Sequence, residues 1–382
     1  MTSDPIRLGA VGLGRGFALT ARALAAHDQI DLVAAATRSE ASRTAFTKAF
    51  GGTDYPEYAS LLADDRVEMV YVATPHGMHR DHVCAALTAG KHVVVEKPIA
   101  IETVDAQAMV ETAAQNNRQL LVGPSHSYDP PVALAADIIA SGRLGKPKML
   151  HGLNATDFLY RPRRPEELRT EEGGGVIFSQ AIHQIDVAMR LMGRPSRVFA
   201  VTGAWDVARH TEGAYSAILA FETGGTATLT YSGYGFWDSD AMMDNVSELG
   251  VVKTHNTNGQ ARRALAQIAD EAAYKKTRAF LGLDDLPTPT RHEHFGPTTV
   301  FCEHGDIQLT PHGVLLHQAD GTERINAPFV SSRQGFAQAL VDALRGGPAP
   351  VQTGHWGLTA LRVCHTILES ARAGAPVDIK ED

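Results

Sequence analysis

An α/β fold in two domains is predicted by three observations: a strand, glycine-rich turn and helix at the N-terminus, short apolar strands alternating with helices as far as residue 122, and a change of character after Gly123-Pro124. Ile6 to Val11 reads as a buried strand, Gly12 to Gly16 as a tight turn and Phe17 to Ala26 as an Ala/Leu-rich helix. Strands at Leu32 to Ala36, Met69 to Ala73, Val93 to Val95 and Leu120 to Val122 then alternate with helices at Thr44 to Phe50, His79 to Ala89 and Val104 to Asn116. Strands separated by helices at this spacing build a doubly wound parallel sheet, so residues 1–124 are expected to form a dinucleotide-binding domain of Rossmann type.

Residues 125–382 are expected to form the second domain. Asp129-Pro130-Pro131 opens a helix to about Ser141, and alternating segments follow at 149–153, 198–203, 215–221, 226–231, 300–301, 307–309 and 313–316. They predict a large, mostly antiparallel open sheet with helices on one face. A helical insertion is expected over about 255–297, with its helix in Gln260 to Leu281, and Gly335 to Leu344 and Leu358 to Ala373 read as closing helices.

Composition narrows the function. The 382 residues are 44% hydrophobic and carry a net charge of −8, without a long run of one sign. Nucleic acid and anionic membranes are therefore not expected partners, and a small molecule is. Cys84, Cys302 and Cys364 form no close pair, which suits neither a disulfide framework nor a zinc site and suggests a reducing, cytoplasmic setting. No apolar signal core opens the chain, and no stretch is apolar and long enough to span a bilayer.

The chemistry centres on Glu96-Lys97-Pro98, directly after the strand His92 to Val95. A lysine at the carboxyl end of a parallel strand stands where such sheets bind ligands, and it can hydrogen-bond a reacting hydroxyl; the plain alternative is a surface lysine. Gly12-x-Gly14-x-x-Phe17 keeps two of the three glycines of the dinucleotide fingerprint. After the second strand, Thr37-Arg38-Ser39 offers an arginine and two hydroxyls where an acid would favour NAD; this leans toward NADP, with Glu40 or Asp31 still able to serve an NAD ribose. Further on, Gly173-Gly174-Gly175 leads into a helix where Ser179, His183 and Asp186 fall at i, i+4 and i+7, on one face. An imidazole there is a natural proton acceptor for a hydroxyl, although a lone histidine is often a packed core residue. His76, His79 and His82 do not suggest a metal site, nor do His292 and His294, and no metal is expected.

With these elements in place the chain resembles the Gfo/Idh/MocA family of NAD(P)-dependent oxidoreductases. The matching residues are Gly9-x-x-Gly12-x-Gly14, Ala73-Thr74-Pro75-His76-x-x-His79, Glu96-Lys97-Pro98, the triple glycine through His183-x-x-Asp186, and Gly354-His355-Trp356-Gly357-Leu358. The resemblance implies an oxidoreductase with Lys97 against the substrate hydroxyl, His183 as acid/base, and an open sheet used for homo-oligomerisation as a dimer or tetramer. It implies that NADP or NAD meets Gly12, Gly14, Arg15, Gly16, Phe17, Thr37, Arg38, Ser39, Thr74, Pro75, His76, His79, Glu96 and Lys97. Sugar and polyol dehydrogenases of the family commonly have aspartate where this chain has Ser179.

The arginine-rich segment Asp157 to Arg169, running into the triple glycine, resembles the branch containing phthalate 4,5-cis-dihydrodiol dehydrogenases. Guanidinium groups suit carboxylate recognition, so Arg161, Arg163 and Arg164, with Ser179, His126 and Asp186, are the expected substrate contacts; surface ion pairs are the alternative for any one arginine. The resemblance implies oxidation of an aromatic dicarboxylate diol to its dihydroxy aromatic product. Two alternatives stand beside it: a sugar, inositol or other polyol dehydrogenase, and a non-catalytic dinucleotide-binding regulatory protein.

Overall fold

In the computed structural model the described residues are 4–253, 259–277, 286 and 288–380. They divide into two compact units, the first comprising Met1–Pro124, Ala273–Leu286 and Arg333–Leu361, the second the remainder.

The first unit carries six strands, β1 (Ile6–Val11), β2 (Ile30–Ala36), β3 (Thr53–Tyr55), β4 (Met69–Val72), β5 (His92–Val95) and β6 (Leu120–Val122). All pair in parallel in the order β3-β2-β1-β4-β5-β6. Its helices are α1 (Arg15–Ala25), α2 (Glu40–Phe50), α3 (Tyr58–Leu62), α4 (His79–Thr88) and α5 (Thr103–Gln115). Strands buried on both faces read as continuous apolar runs, and β4 is buried at each of its positions. Strand order reverses between β1 and β4, which places the ligand crevice of such a sheet at their carboxyl ends, beside Gly12 and Ala73. The sequence reading missed β3 and α3, which are three and five residues long and too short to show a period.

The second unit is built on a nine-stranded sheet of β7 (Pro147–Ala155), β8 (Pro195–Gly203), β9 (Ala214–Phe221), β10 (Thr226–Ser232), β11 (Thr298–Cys302), β12 (Gly305–Thr310), β13 (Gly313–Gln318), β14 (Gly321–Asn326) and β15 (Val377–Asp378). Their order is β14-β13-β12-β11-β7-β10-β9-β8-β15. Only β7 and β10 run parallel; the other neighbours are antiparallel. Helices α6 (Pro130–Ala140) and α7 (Ile182–Met192) pack on the sheet. The strands alternate accordingly: Ala217, Leu219, Phe221, Ala227, Leu229 and Tyr231 are buried, while Ser216, Ile218 and Thr226 are exposed.

In the expected insertion the described residues hold α8 (Gln260–Leu265) and α9 (Glu271–Thr277), and positions 278–285 lie outside them. The last helices are α10 (Ser332–Arg345) and α11 (Gly354–Ala373). The sequence reading assigned 125–382 to the second domain, whereas Arg333–Leu361 cluster with the first unit. The reason lies at the edge strand β6. Thr353 bridges Leu121, and a Cβ on Gly123 would meet the Gln352 side chain at 2.6 Å and the Phe336 ring at 2.9 Å. A Cβ on Gly357 would lie 2.6 Å from Val122, so this part of the C-terminal glycine motif serves close packing on β6. Among the described residues no helix is long and apolar enough to cross a membrane.

Candidate functional site

In the first unit the glycine turn has the geometry its sequence demands. Gly12 sits at φ +83°, and a Cβ there would lie 2.6 Å from the Ala73 carbonyl at the end of β4. Gly14 has a freer surround, its nearest atom at 3.7 Å, and as the N-cap of α1 it brings no capping side chain of its own. Exposed backbone N–H groups at a helix start, approached by a residue without a side chain, make a cradle for a pyrophosphate. The residues present therefore fit a dinucleotide, with Gly14, exposed Arg15, Thr74, Pro75 and partly exposed His76 available around the crevice.

Other expected cofactor contacts serve the turn from inside. Phe17 is fully buried, edge-on to Tyr71 and near Phe46, so it belongs to the core and not to the ligand surface. Glu96 accepts a 2.7 Å hydrogen bond from the Tyr71 hydroxyl, and burial pushes its carboxyl pKa up. A Cβ on Gly16 would come 2.7 Å from Glu96 Oε1; Gly16 is thus required by an internal carboxyl group. His79 is also fully buried, with Nε2 2.9 Å from the Thr74 carbonyl and Nδ1 3.1 Å from the carbonyls of Pro98 and Ile99. It braces the loops after β4 and β5, and burial holds its pKa down. Lys97, at the end of β5 and half-buried, is delivered by this support. Ser39 caps α2 by accepting from the Ser42 N–H, and Thr37 and exposed Arg38 follow β2.

The second unit gathers His183, His126, Asp129, Asp186 and Phe295. The rings of His126 and His183 meet edge-on, with centroids 4.8 Å apart, and Phe295 packs 5.1 Å and 4.8 Å from them. Asp129 Oδ2 accepts a 2.6 Å bond from His126 Nδ1. Asp186 Oδ2 accepts from the Ser125 hydroxyl at 2.8 Å and the Ser127 N–H at 2.6 Å. Buried Asp186, one turn beyond His183, therefore ties the turn bearing His126 to α7 and is a brace, where the sequence suggested a substrate contact.

The sequence placed Ser179, His183 and Asp186 on one regular helix, whereas a π-helical turn at Ile177–Ala181 carries Ser179 and α7 carries the other two. The Ser179 hydroxyl donates to the Gly175 carbonyl. Sequence reasoning also missed Glu212. Its carboxylate accepts from the Ile177 N–H at 3.2 Å and from the hydroxyls of Thr170 and Thr211, and its carbonyl accepts from the Val176 N–H. The triple glycine makes room for it: a Cβ on Gly175 would lie 2.1 Å from Glu212 Oε1, and Gly175 has φ +77°. That crowding was invisible in sequence, because Glu212 lies 37 residues beyond the glycine it touches.

The three arginines are not equivalent. Arg161 is paired with Glu248 at 2.8 Å, and Arg164 with Glu166 at 3.3 Å and Glu167 at 3.6 Å. Arg163 stacks on the Phe158 ring at 3.6 Å, donates to the Phe158 carbonyl at 2.7 Å, and makes no ion pair among the described residues. Burial brings its pKa down to about 10, which leaves it cationic at neutral pH. Phe158 is edge-on to Tyr231, Tyr231 stacks with Phe295, and Phe295 reaches His183, so a line of rings connects the guanidinium to the imidazole.

Comparison with known proteins places this arrangement. Residues 6–124 match the oxidoreductase family with an NAD-binding Rossmann fold, and residues 132–240 match the GFO/IDH/MocA C-terminal domain. A 1-carboxy-3-chloro-3,4-dihydroxycyclohexa-1,5-diene dehydrogenase from Comamonas testosteroni is 39% identical, covering 96% of this chain and 95% of its own. The chain belongs to the Gfo/Idh/MocA family. It is an NAD(P)-dependent dehydrogenase of that family, as the full-length likeness and the two family matches require. Among solved structures, a dehydrogenase from Bordetella bronchiseptica RB50 superposes with a TM-score of 0.94 at 37% identity, covering 98% of this chain and 100% of that one. The WlbA dehydrogenase from Bordetella pertussis, solved with NADH and UDP-GlcNAcA, shares the fold with a TM-score of 0.73 at 20% identity over the whole of both chains.

Proposed function

We propose that this dehydrogenase oxidises the cis-dihydrodiol of an aromatic carboxylate, such as phthalate 4,5-cis-dihydrodiol, to the dihydroxy aromatic product. The observation that carries the reading is Arg163, a desolvated cation in no close ion pair among the described residues, although the Glu167 charge acts on it, joined through Phe158, Tyr231 and Phe295 to His183. A ring carboxylate gives the guanidinium a directly hydrogen-bonded anion, and a flat ring suits the aromatic surround. The Comamonas testosteroni relative, whose name describes a carboxylated ring diol, supports the same class.

His183 takes the proton of the carbinol hydroxyl, Lys97 serves as a hydrogen-bond donor to substrate, and a bound nicotinamide would supply the hydride acceptor. The hydroxy-dienone left behind enolises to a catechol, and aromatisation draws the reaction toward product. Ser179, already bonded to Gly175, contributes position more than a substrate contact in this reading. Thr37, Arg38 and Ser39 at the end of β2 favour the 2′-phosphate of NADP. The outward residues Phe199, Val201 and Ile218 of β8 and β9 support a homo-oligomer formed through the sheet.

The test is a set of initial rates with NAD+ and NADP+ in turn, on phthalate cis-dihydrodiol, an uncarboxylated cis-dihydrodiol, inositol and hexoses. Preference for the carboxylated diol, with NADP+ the better acceptor, is expected. Turnover of inositol or hexoses alone would make the protein a polyol dehydrogenase.

A further inference from the structure

The pairing of His126 with Asp129 is unused by the mechanism above. Asp129 is 1% exposed, its Oδ2 holds His126 Nδ1 at 2.6 Å, and its Oδ1 is buried without a hydrogen-bond partner among the described residues. A carboxylate on Nδ1 fixes the neutral tautomer with its proton at Nδ1 and leaves Nε2 as a hydrogen-bond acceptor. The ring is fixed again through its backbone, because Asp186 binds both neighbours of His126, Ser125 and Ser127. The result is a second oriented imidazole, 4.8 Å between centroids from His183, with Phe295 packed against both rings.

Two imidazoles at that separation can address two adjacent oxygens. A lone alcohol would engage one of them and leave the other without a substrate hydroxyl. A vicinal cis-diol presents its second hydroxyl close to the first, where it can donate to the accepting nitrogen. We propose that His126, oriented by Asp129, is a specificity-determining residue that receives the second hydroxyl of a vicinal diol, so that the site selects 1,2-diols over lone alcohols. The inference rests on His183 as the base for the first hydroxyl, and it deepens the reading of the substrate as a diol. A polar group provided for a substrate hydroxyl penalises the analogue that lacks it, because the group is then left unpaired.

The experiment compares substrates in pairs: a carboxylated cis-dihydrodiol with its monohydroxy analogue, and inositol with a ring mono-alcohol. Wild type, His126→Asn and Asp129→Asn are assayed for the ratio of kcat/KM within each pair, with folding checked by circular dichroism. Wild type is expected to favour the diol, and His126→Asn to shrink that ratio by about 10²-fold. Asp129→Asn keeps the imidazole but offers an amide donor to Nδ1, which moves the ring proton to Nε2, and it too is expected to shrink the ratio. A folded variant in which both members of a pair lose rate equally would overturn the proposal and leave His126 structural. If only the inositol pair is oxidised, the aromatic-acid reading fails while the ratio still decides the role of His126; if wild type oxidises neither pair, both readings fall.

Discussion

Arg163 is the residue whose surroundings most clearly separate a ligand contact from a structural one. Its neighbours Arg161 and Arg164 already have carboxylates, whereas its own cation rests on an aromatic face and a carbonyl. Replacing Arg163 with Met keeps much of the stem packing on Phe158 and removes the charge. The expected outcome is a rise of about 10²-fold in KM for a carboxylated diol, roughly the 1.5–3 kcal/mol of a charged hydrogen bond, and a much smaller change for an uncarboxylated one. Equal changes on the two would remove Arg163 from substrate recognition. Sequence could gather the three arginines but could not rank them, since Glu248 lies 87 residues from Arg161.

A second residue-scale consequence concerns acid. Burial brings the His294 pKa down to about 4 from its ordinary 6.5, so its neutral ring supports the fold above pH 6.5 and that support is lost as pH falls toward 4. Asp240, 3.9 Å from it, is pushed up to about 6 from 3.8 by burial, although Lys253 pulls the other way. Its support is full below pH 3.8 and is lost as pH rises through 6. The two slopes oppose each other between pH 4 and 6, each at most about 1.4 kcal/mol per pH unit. His294→Gln removes only the acid-sensitive member. Urea midpoints at pH 7, 6 and 5 are expected to move in the variant's favour, relative to wild type, as pH falls; movement the other way would refute the assignment.

At the scale of elements, the decisive feature is the join between the triple glycine and α7. The glycines, His183 and Asp186 were legible in sequence, and so was the helix that carries the two polar residues. The π-helical turn was not, because hydrophobic spacing looks alike for an α-helix and for one with a single widened turn, and the widening is held by the distant Glu212. Gly175→Ala asks for a side chain at φ +77° and 2.1 Å from Glu212 Oε1. Strain alone should cost about 1–2 kcal/mol, with the clash in addition, and the shift of the π-helical turn should lower kcat. Urea midpoint and kcat should fall together. A stable Gly175→Ala enzyme of full activity would show that the turn does not depend on this contact.

For the whole molecule, the Rossmann half was the more legible because parallel strands buried on both faces announce themselves as apolar runs between helices. The second sheet was read strand by strand, yet its order was not: the parallel pairing of β7 with β10, 77 residues apart in the register Thr226 to Met149 and onward with the β8 and β9 hairpin between, leaves no local signal. Nor did the sequence reveal that Arg333–Leu361 return to the first unit. What alternation does show is which side chains face away from α6 and α7. On neighbouring strands Phe199 and Ile218 are paired in register and are 39% and 49% exposed, with Val201 two positions along at 54%. Large apolar groups clustered on an outward sheet face are costly to leave in water, at about 25 cal/mol per Å². If this face joins two copies of the chain, the double variant Phe199→Glu and Ile218→Glu should set like charges against each other across the interface. Light scattering should then report the monomer mass where wild type gives a multiple of it, with the circular dichroism spectrum retained. An unchanged mass in the folded variant would place self-association elsewhere, and a monomeric wild type would leave this apolar face without a second copy to cover it.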